Sequence, residues 1–156
     1  MKFTRPLPRQ IKFTKEGLES LKAEYNTLLE KRPAAVLELK RAREMGDLSE
    51  NGLYKAARMN LSSIDANLRR MSRMIKLADV QDSPTDSIGI GSRVVVEQNG
   101  EEVVYSIVGD YEANPSEKKI SSFSPIGRAL SGKNVGEIAS IQTPKGELKI
   151  KILKTL

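Results

Sequence analysis

Residues 31–64 read KRPAAVLELKRAREMGDLSENGLYKAARMNLSSI, and the centre of that stretch, Gly46-Asp47-Leu48-Ser49-Glu50-Asn51, decides the fold. On its N-terminal side Leu18, Leu21, Tyr25, Leu28, Arg32, Ala35, Leu39 and Ala42 step by alternating threes and fours. On its C-terminal side Tyr54, Ala57, Leu61, Ile64, Leu68, Met71, Ile75 and Ala78 do the same. That spacing averages the 3.5-residue repeat of a coiled-coil seam. Folded antiparallel, Leu18 falls opposite Ala78, Tyr25 opposite Met71 and Ala42 opposite Tyr54, which places the mirror point at residue 48. The pattern predicts a long antiparallel two-helix hairpin. With roughly 30 residues per arm it spans about 45 Å at the helical rise. Such a hairpin has little core of its own and is expected to project from a body. Arg32 is the charged misfit of the seam, and Pro33 predicts a kink, because proline removes a helix hydrogen bond and crowds the preceding turn.

The connection supplies its own signals. Gly46 is placed just past a helix end, where glycine takes the left-handed conformation. Asp47, with Glu50 three residues on, is placed to cap the next helix as a capping box. A second reading stays open beside that one. Two carboxylates three residues apart at the apex of a long hairpin can share one Mg²⁺.

Beyond Val80 the periodicity changes. Residues 81–90 open with Gln81-Asp82-Ser83-Pro84-Thr85-Asp86-Ser87, a polar linker. Strands follow at Arg93–Glu97 and Val103–Val108, joined by Asn99-Gly100, a strong hairpin signal. Ile120 begins a short strand, Ser124-Pro125 starts a helix to about Leu130, and a last hairpin turns at Pro144-Lys145-Gly146. Residues 91–156 read as a small antiparallel sheet with one short helix, so the chain is α+β: a coiled-coil domain over 1–80, then a sheet domain. Tyr105, Tyr111 and Phe123 are expected in that second core.

The 156 residues contain no His, Cys or Trp. Disulfides, thiolate nucleophiles, Ser-His-Asp triads and ordinary zinc sites are excluded. Acid–base work falls to Asp, Glu, Lys or Tyr, and any metal would be a hard cation such as Mg²⁺ on carboxylates. No apolar run approaches a membrane span, and a cytoplasmic protein is the default expectation. Charge is uneven: residues 1–80 hold 17 Lys/Arg against 10 Asp/Glu, while residues 81–156 hold 9 against 10. The second helix carries Lys55, Arg58, Arg69, Arg70, Arg73 and Lys76 against one acid, Asp65. Lys55, Ser62, Arg69 and Lys76 form a row spaced by seven. Such a row suits phosphates of RNA or DNA, and equally an ordinary solvated helix face.

Several stretches carry a resemblance. These are Lys31-Arg32-Pro33, Ala42–Asn51 with Tyr54, Ile107-Val108-Gly109 with Glu112-Ala113, Ile120-Ser121, Ser124–Leu130 with Gly132-Lys133, and Thr143–Glu147. In order and spacing they resemble the bacterial transcript cleavage factors of the GreA/GreB family over residues 13–154. The resemblance implies an N-terminal coiled coil and a C-terminal FKBP-like domain. It implies a monomer that docks on the rim of RNA polymerase's secondary channel through the second domain, with Glu112, Ser124, Pro125 and Arg128 as the docking set. Asp47 and Glu50 then reach the polymerase active centre and help hold a second Mg²⁺, with Ser49 and Tyr54 in support. The basic residues contact the nascent RNA 3′ segment, and the polymerase rather than this chain performs the cleavage. The sequence departs from the family at Gly52-Leu53, where Ala-Glu or Ala-Asp is usual, and at Met45, where many members have His. Those departures motivate an alternative, a channel-binding paralogue that regulates or inhibits polymerase without promoting cleavage. A prolyl isomerase and a plain coiled-coil interaction module are the remaining readings.

Overall fold

The computed structural model of the chain describes residues 10–45, 51–84, 87–143 and 146–156. A three-residue strand, β1 (Ile11–Phe13), leads into α1 (Lys15–Glu44), and α2 (Gly52–Lys76) follows. All eight seam positions of α1 are shielded, and every other residue of the helix except Gly17 is exposed. The seam of α2 is shielded in the same way, with Ile64, Leu68 and Met71 buried. Met74, outside the expected seam, is buried as well. Cross-helix contacts set the register. Arg32 meets Asp65, the Arg43 guanidinium lies over the Tyr54 ring, and Asn51 bonds the Ala42 carbonyl. Each pair is centred within two residues of position 48, as the spacing requires.

α1 continues through Pro33 as one helical element. Pro33 lies on the exposed side. The Leu29 carbonyl that it deprives of a donor belongs to an exposed residue, where water can supply the missing bond. The hairpin core is thin: Ala35, Ile64 and Leu68 are buried, with Tyr25, Leu28 and Leu61 packed beside them.

The chain divides into two compact units, Glu19–Leu77 and a second that joins the described residues up to Leu18 with Ala78–Leu156. In the second unit the helical pattern read through Ala78 gives way, because α2 stops at Lys76. Ala78–Val80 becomes β2, paired in parallel with β1. Phe13 of β1 is fully buried, so tertiary packing overrides the helical period there.

The main sheet has the order β5-β4-β3-β7-β6, with β3 (Arg93–Gln98), β4 (Glu101–Val108), β5 (Lys119–Ser121), β6 (Ile138–Thr143) and β7 (Gly146–Thr155). Neighbours are antiparallel except β4 and β5, which run parallel, so the sheet is mixed rather than antiparallel. Two 3-10 turns, Asp110–Glu112 and Pro115–Glu117, carry the chain across to that parallel partner. Asn99 and Gly100 both have positive φ (54° and 83°), the requirement of a type I′ hairpin turn. Val94, Val95 and Val96 are all buried, so β3 is covered on both faces. The core gathers Val94, Val96, Tyr105, Ile107, Leu130, Ile150 and Ile152. Tyr105 is core as expected. Tyr111 and Phe123 are not, being 58% and 48% exposed. α3 (Pro125–Leu130) starts at its Ser124 cap, and a Cβ on Gly127 would lie 2.0 Å from the Ser121 carbonyl oxygen. Glycine is what lets the helix sit against the end of β5.

Candidate functional site

Asp47, Ser49 and Glu50 lie outside the described residues, as does Gly46 with its expected helix-end role. Their flanks are described and correct one expectation. The cap of α2 is Asn51, not Asp47: its Oδ1 accepts the Tyr54 N–H at 3.0 Å, and its Nδ2 donates to the Ala42 carbonyl at 2.8 Å. Because α2 begins at Gly52, its start is not the Asp47–Glu50 capping box. Both signals fitted the sequence, and the D-x-x-E pair simply precedes the residue that the backbone uses. Tyr54 is half-buried in the seam, with the Arg43 guanidinium 5.9 Å from its ring centroid. Nearby apolar surface is open to solvent, with Met45, Leu53 and Met59 all more than 60% exposed.

Lys55, Arg58, Arg69, Arg70, Arg73 and Lys76 are all exposed. Arg69, Arg73 and Lys76 converge on an open groove of about 470 Å³, lined also by Tyr25, Leu68 and Ser72. Lys55, Arg58 and Arg70 are not part of it. Lys55 lies 14 residues before Arg69, roughly 21 Å along the axis. The sequence did not single out Ser72, and it marked Tyr25 only as a seam position. Only the size of the Tyr25 side chain hinted that it reaches the groove.

The seam misfit is resolved by an ion pair. Arg32 Nε and Nη2 donate to the two carboxylate oxygens of Asp65 at 2.6 and 3.3 Å. Both side chains stay partly exposed, so Arg32 is not a buried charge. The Asp65 carboxyl is held below its ordinary range chiefly by the Arg32 hydrogen bond, with partial desolvation opposing and the charges of Arg32 and Arg69 assisting.

The four docking candidates separate by environment. Pro125 and Arg128 are exposed. Ser124 is a helix cap whose hydroxyl accepts the Gly127 N–H and donates to the Ser121 carbonyl. Glu112 is committed inside its own unit, accepting from the Thr14 and Gly109 amides and from the Thr14 hydroxyl.

Fold and surface define a two-unit α+β protein in which a helical hairpin with a basic face accompanies a small mixed-sheet unit. Residues 11–80 match the family model described as transcription elongation factor, N-terminal, and residues 83–155 match transcription elongation factor, GreA/GreB, C-term. The transcription elongation factor GreA of Thermomicrobium roseum is 40% identical, over 93% of this chain and 96% of its own length. That of Lactococcus lactis subsp. cremoris (strain MG1363) is 43% identical, over 90% and 94%. Among solved structures, GreA factor homolog 1 of Thermus thermophilus aligns over 95% of this chain and 99% of its own at 29% identity, with a TM-score of 0.45. The chain belongs to the GreA/GreB family of transcription elongation factors. Among the described residues no helix is long and apolar enough to cross a membrane.

Proposed function

We propose that this elongation factor binds bacterial RNA polymerase through its secondary channel and stimulates the polymerase's own cleavage of backtracked nascent RNA. The observation that carries the reading is the position of Asp47 and Glu50, in the short segment between the end of α1 at Glu44 and the start of α2 at Gly52. A hairpin apex is where a slender element delivers groups into a narrow channel. Two carboxylates and the Ser49 hydroxyl are hard oxygen donors, the kind that Mg²⁺ prefers. They are too few for its octahedral shell, so the remaining ligands belong to the polymerase, its substrate and water. When bound there, the ion would stabilise charge on the phosphodiester oxygens. This chain's part is to supply donors and hold them in position.

Arg69, Arg73 and Lys76 supply a cationic groove suited to phosphates of the extruded RNA 3′ segment, with Arg58 and Lys55 further along the helix. Exposed Pro125 and Arg128 remain the docking candidates of the sheet unit. Purified factor added to a stalled, backtracked polymerase complex with end-labelled RNA is expected to shorten that RNA. One observation favours a second reading. Leu53 stands 62% exposed in the first turn of α2, where family members usually carry an acid. Slower nucleotide addition without RNA shortening would decide for a channel-binding regulator.

A further inference from the structure

The first turn of α1 is capped in an unusual way. Thr14 is the cap, its Oγ1 accepting the Gly17 N–H at 3.0 Å. In an ordinary capping box the third helical residue returns a Glu or Gln side chain to the cap's own backbone N–H. Here that residue is Gly17, which has no side chain to return. The carboxylate comes instead from Glu112, 98 positions away in the chain. Its Oε2 accepts from the Thr14 N–H at 3.0 Å and the Gly109 N–H at 2.9 Å, while Oε1 accepts from the Thr14 hydroxyl. A Cβ on Gly17 would lie 1.5 Å from Oε1, so the glycine vacates the volume that the carboxylate fills. A Cβ on Gly109 would lie 2.0 Å from the Lys12 carbonyl oxygen, and Phe13 stacks on Tyr111 with centroids 6.3 Å apart. All these residues belong to the sheet-bearing unit. The negative charge also sits at the positive end of the helix dipole.

We propose that Glu112 is a positioning residue. It completes the capping box of α1 from a distant part of the chain, and this anchoring, rather than polymerase docking, is its contribution to transcript cleavage. The last link rests on the function proposed above. From the anchor, α1 runs unbroken for 30 residues to Glu44, three positions before Asp47. A tilt of roughly 5° at the start of a helix about 45 Å long moves its far end by about 4 Å. A misplacement of even about 1 Å at a reacting centre can cost about a hundredfold in rate.

The test has two arms, both on the full chain. The first needs no polymerase. Alanine at a helical glycine ordinarily stabilises, but Gly17→Ala is expected to lower the unfolding midpoint and the amide exchange protection of residues 14–18, because its methyl group evicts the carboxylate. In a Glu112→Ala background the same change is expected to raise both. Gly17→Ala stabilising in both backgrounds would overturn the anchor. The second arm is the cleavage assay. Glu112→Ala is expected to cut the maximal rate at saturating factor by about tenfold or more, with the half-saturating concentration within about twofold. A raised half-saturating concentration with an unchanged maximal rate would instead make Glu112 a docking residue. The double variant Glu112→Ala, Gly17→Glu restores a capping box within α1. It should recover protection at Thr14 but not the cleavage rate, and full recovery of cleavage would refute positioning. If the unaltered protein stimulates no cleavage, the proposed function fails while the first arm still decides the anchor.

Discussion

The side chain of Asn51 accepts the Tyr54 N–H and donates to the Ala42 carbonyl, so one residue closes the start of α2 onto the end of α1. Asn51→Ala removes both bonds and is expected to cost about 1–2 kcal/mol, read as a lower urea midpoint. Asn51→Asp keeps the accepting oxygen and loses the donor, so its cost should be smaller. Two glycines respond to the same substitution with opposite signs. At Gly52, in the first turn of α2, an added Cβ meets nothing within 4 Å, and Gly52→Ala is expected to stabilise by about 0.5 kcal/mol. At Gly127 the Cβ would strike the Ser121 backbone, which cannot swing aside as a side chain does. Gly127→Ala should therefore destabilise by about 1–3 kcal/mol. Thermal midpoints of the two variants moving in the same direction would contradict this account.

The helices were the most legible elements. A strict alternation of threes and fours marks a face, and that face is the one buried, position by position along α1. The charged misfit in the seam was legible as a problem but not in its solution. Asp65 lies beside the seam position Ile64, one residue beyond the partner that the heptad assigns to Arg32. The pair makes a prediction with a definite sign. Because the folded Asp65 carboxyl lies below its ordinary range, its stabilisation is present above the unfolded value, near pH 4, and is lost as pH falls through the folded one. Asp65→Asn should lower the melting temperature of the protein at neutral pH, less so in high salt because the pair is partly exposed. The difference from the unaltered chain should shrink on acidification below about pH 4; a difference that grew would contradict the pairing. Strands β1 and β2 left no sequence signal, since three residues are too few to show a period of two. The parallel placement of β5 was equally hidden, because no local residue pattern encodes strand direction. Tyr111 and Phe123 misled, since aromatic character alone does not distinguish a core residue from one that stacks at the surface.

Across the molecule the two halves keep the division that their composition announced. Basic residues line the helical hairpin, and the sheet-bearing unit holds the larger apolar core. Beyond the hairpin register, contacts between distant segments, such as Thr14 with Glu112, were beyond the reach of pattern reading. The resemblance alone puts Glu112 in the docking set, yet it closes the first turn of a helix that begins at Lys15. The tip was legible as a constellation: Asp47 and Glu50 are the carboxylates of the connection between α1 and α2, in a chain without His or Cys. Whether they act within the polymerase is the central claim. The decisive measurement is the rate of RNA shortening in a purified, backtracked polymerase complex, with Asp47→Asn and Glu50→Gln compared with the unaltered factor at saturating concentration. The account predicts that each variant still competes for the polymerase but loses at least about a hundredfold in stimulated cleavage, with part of the loss recovered at high Mg²⁺. Variants that bind and cleave as fast as the unaltered protein would contradict it.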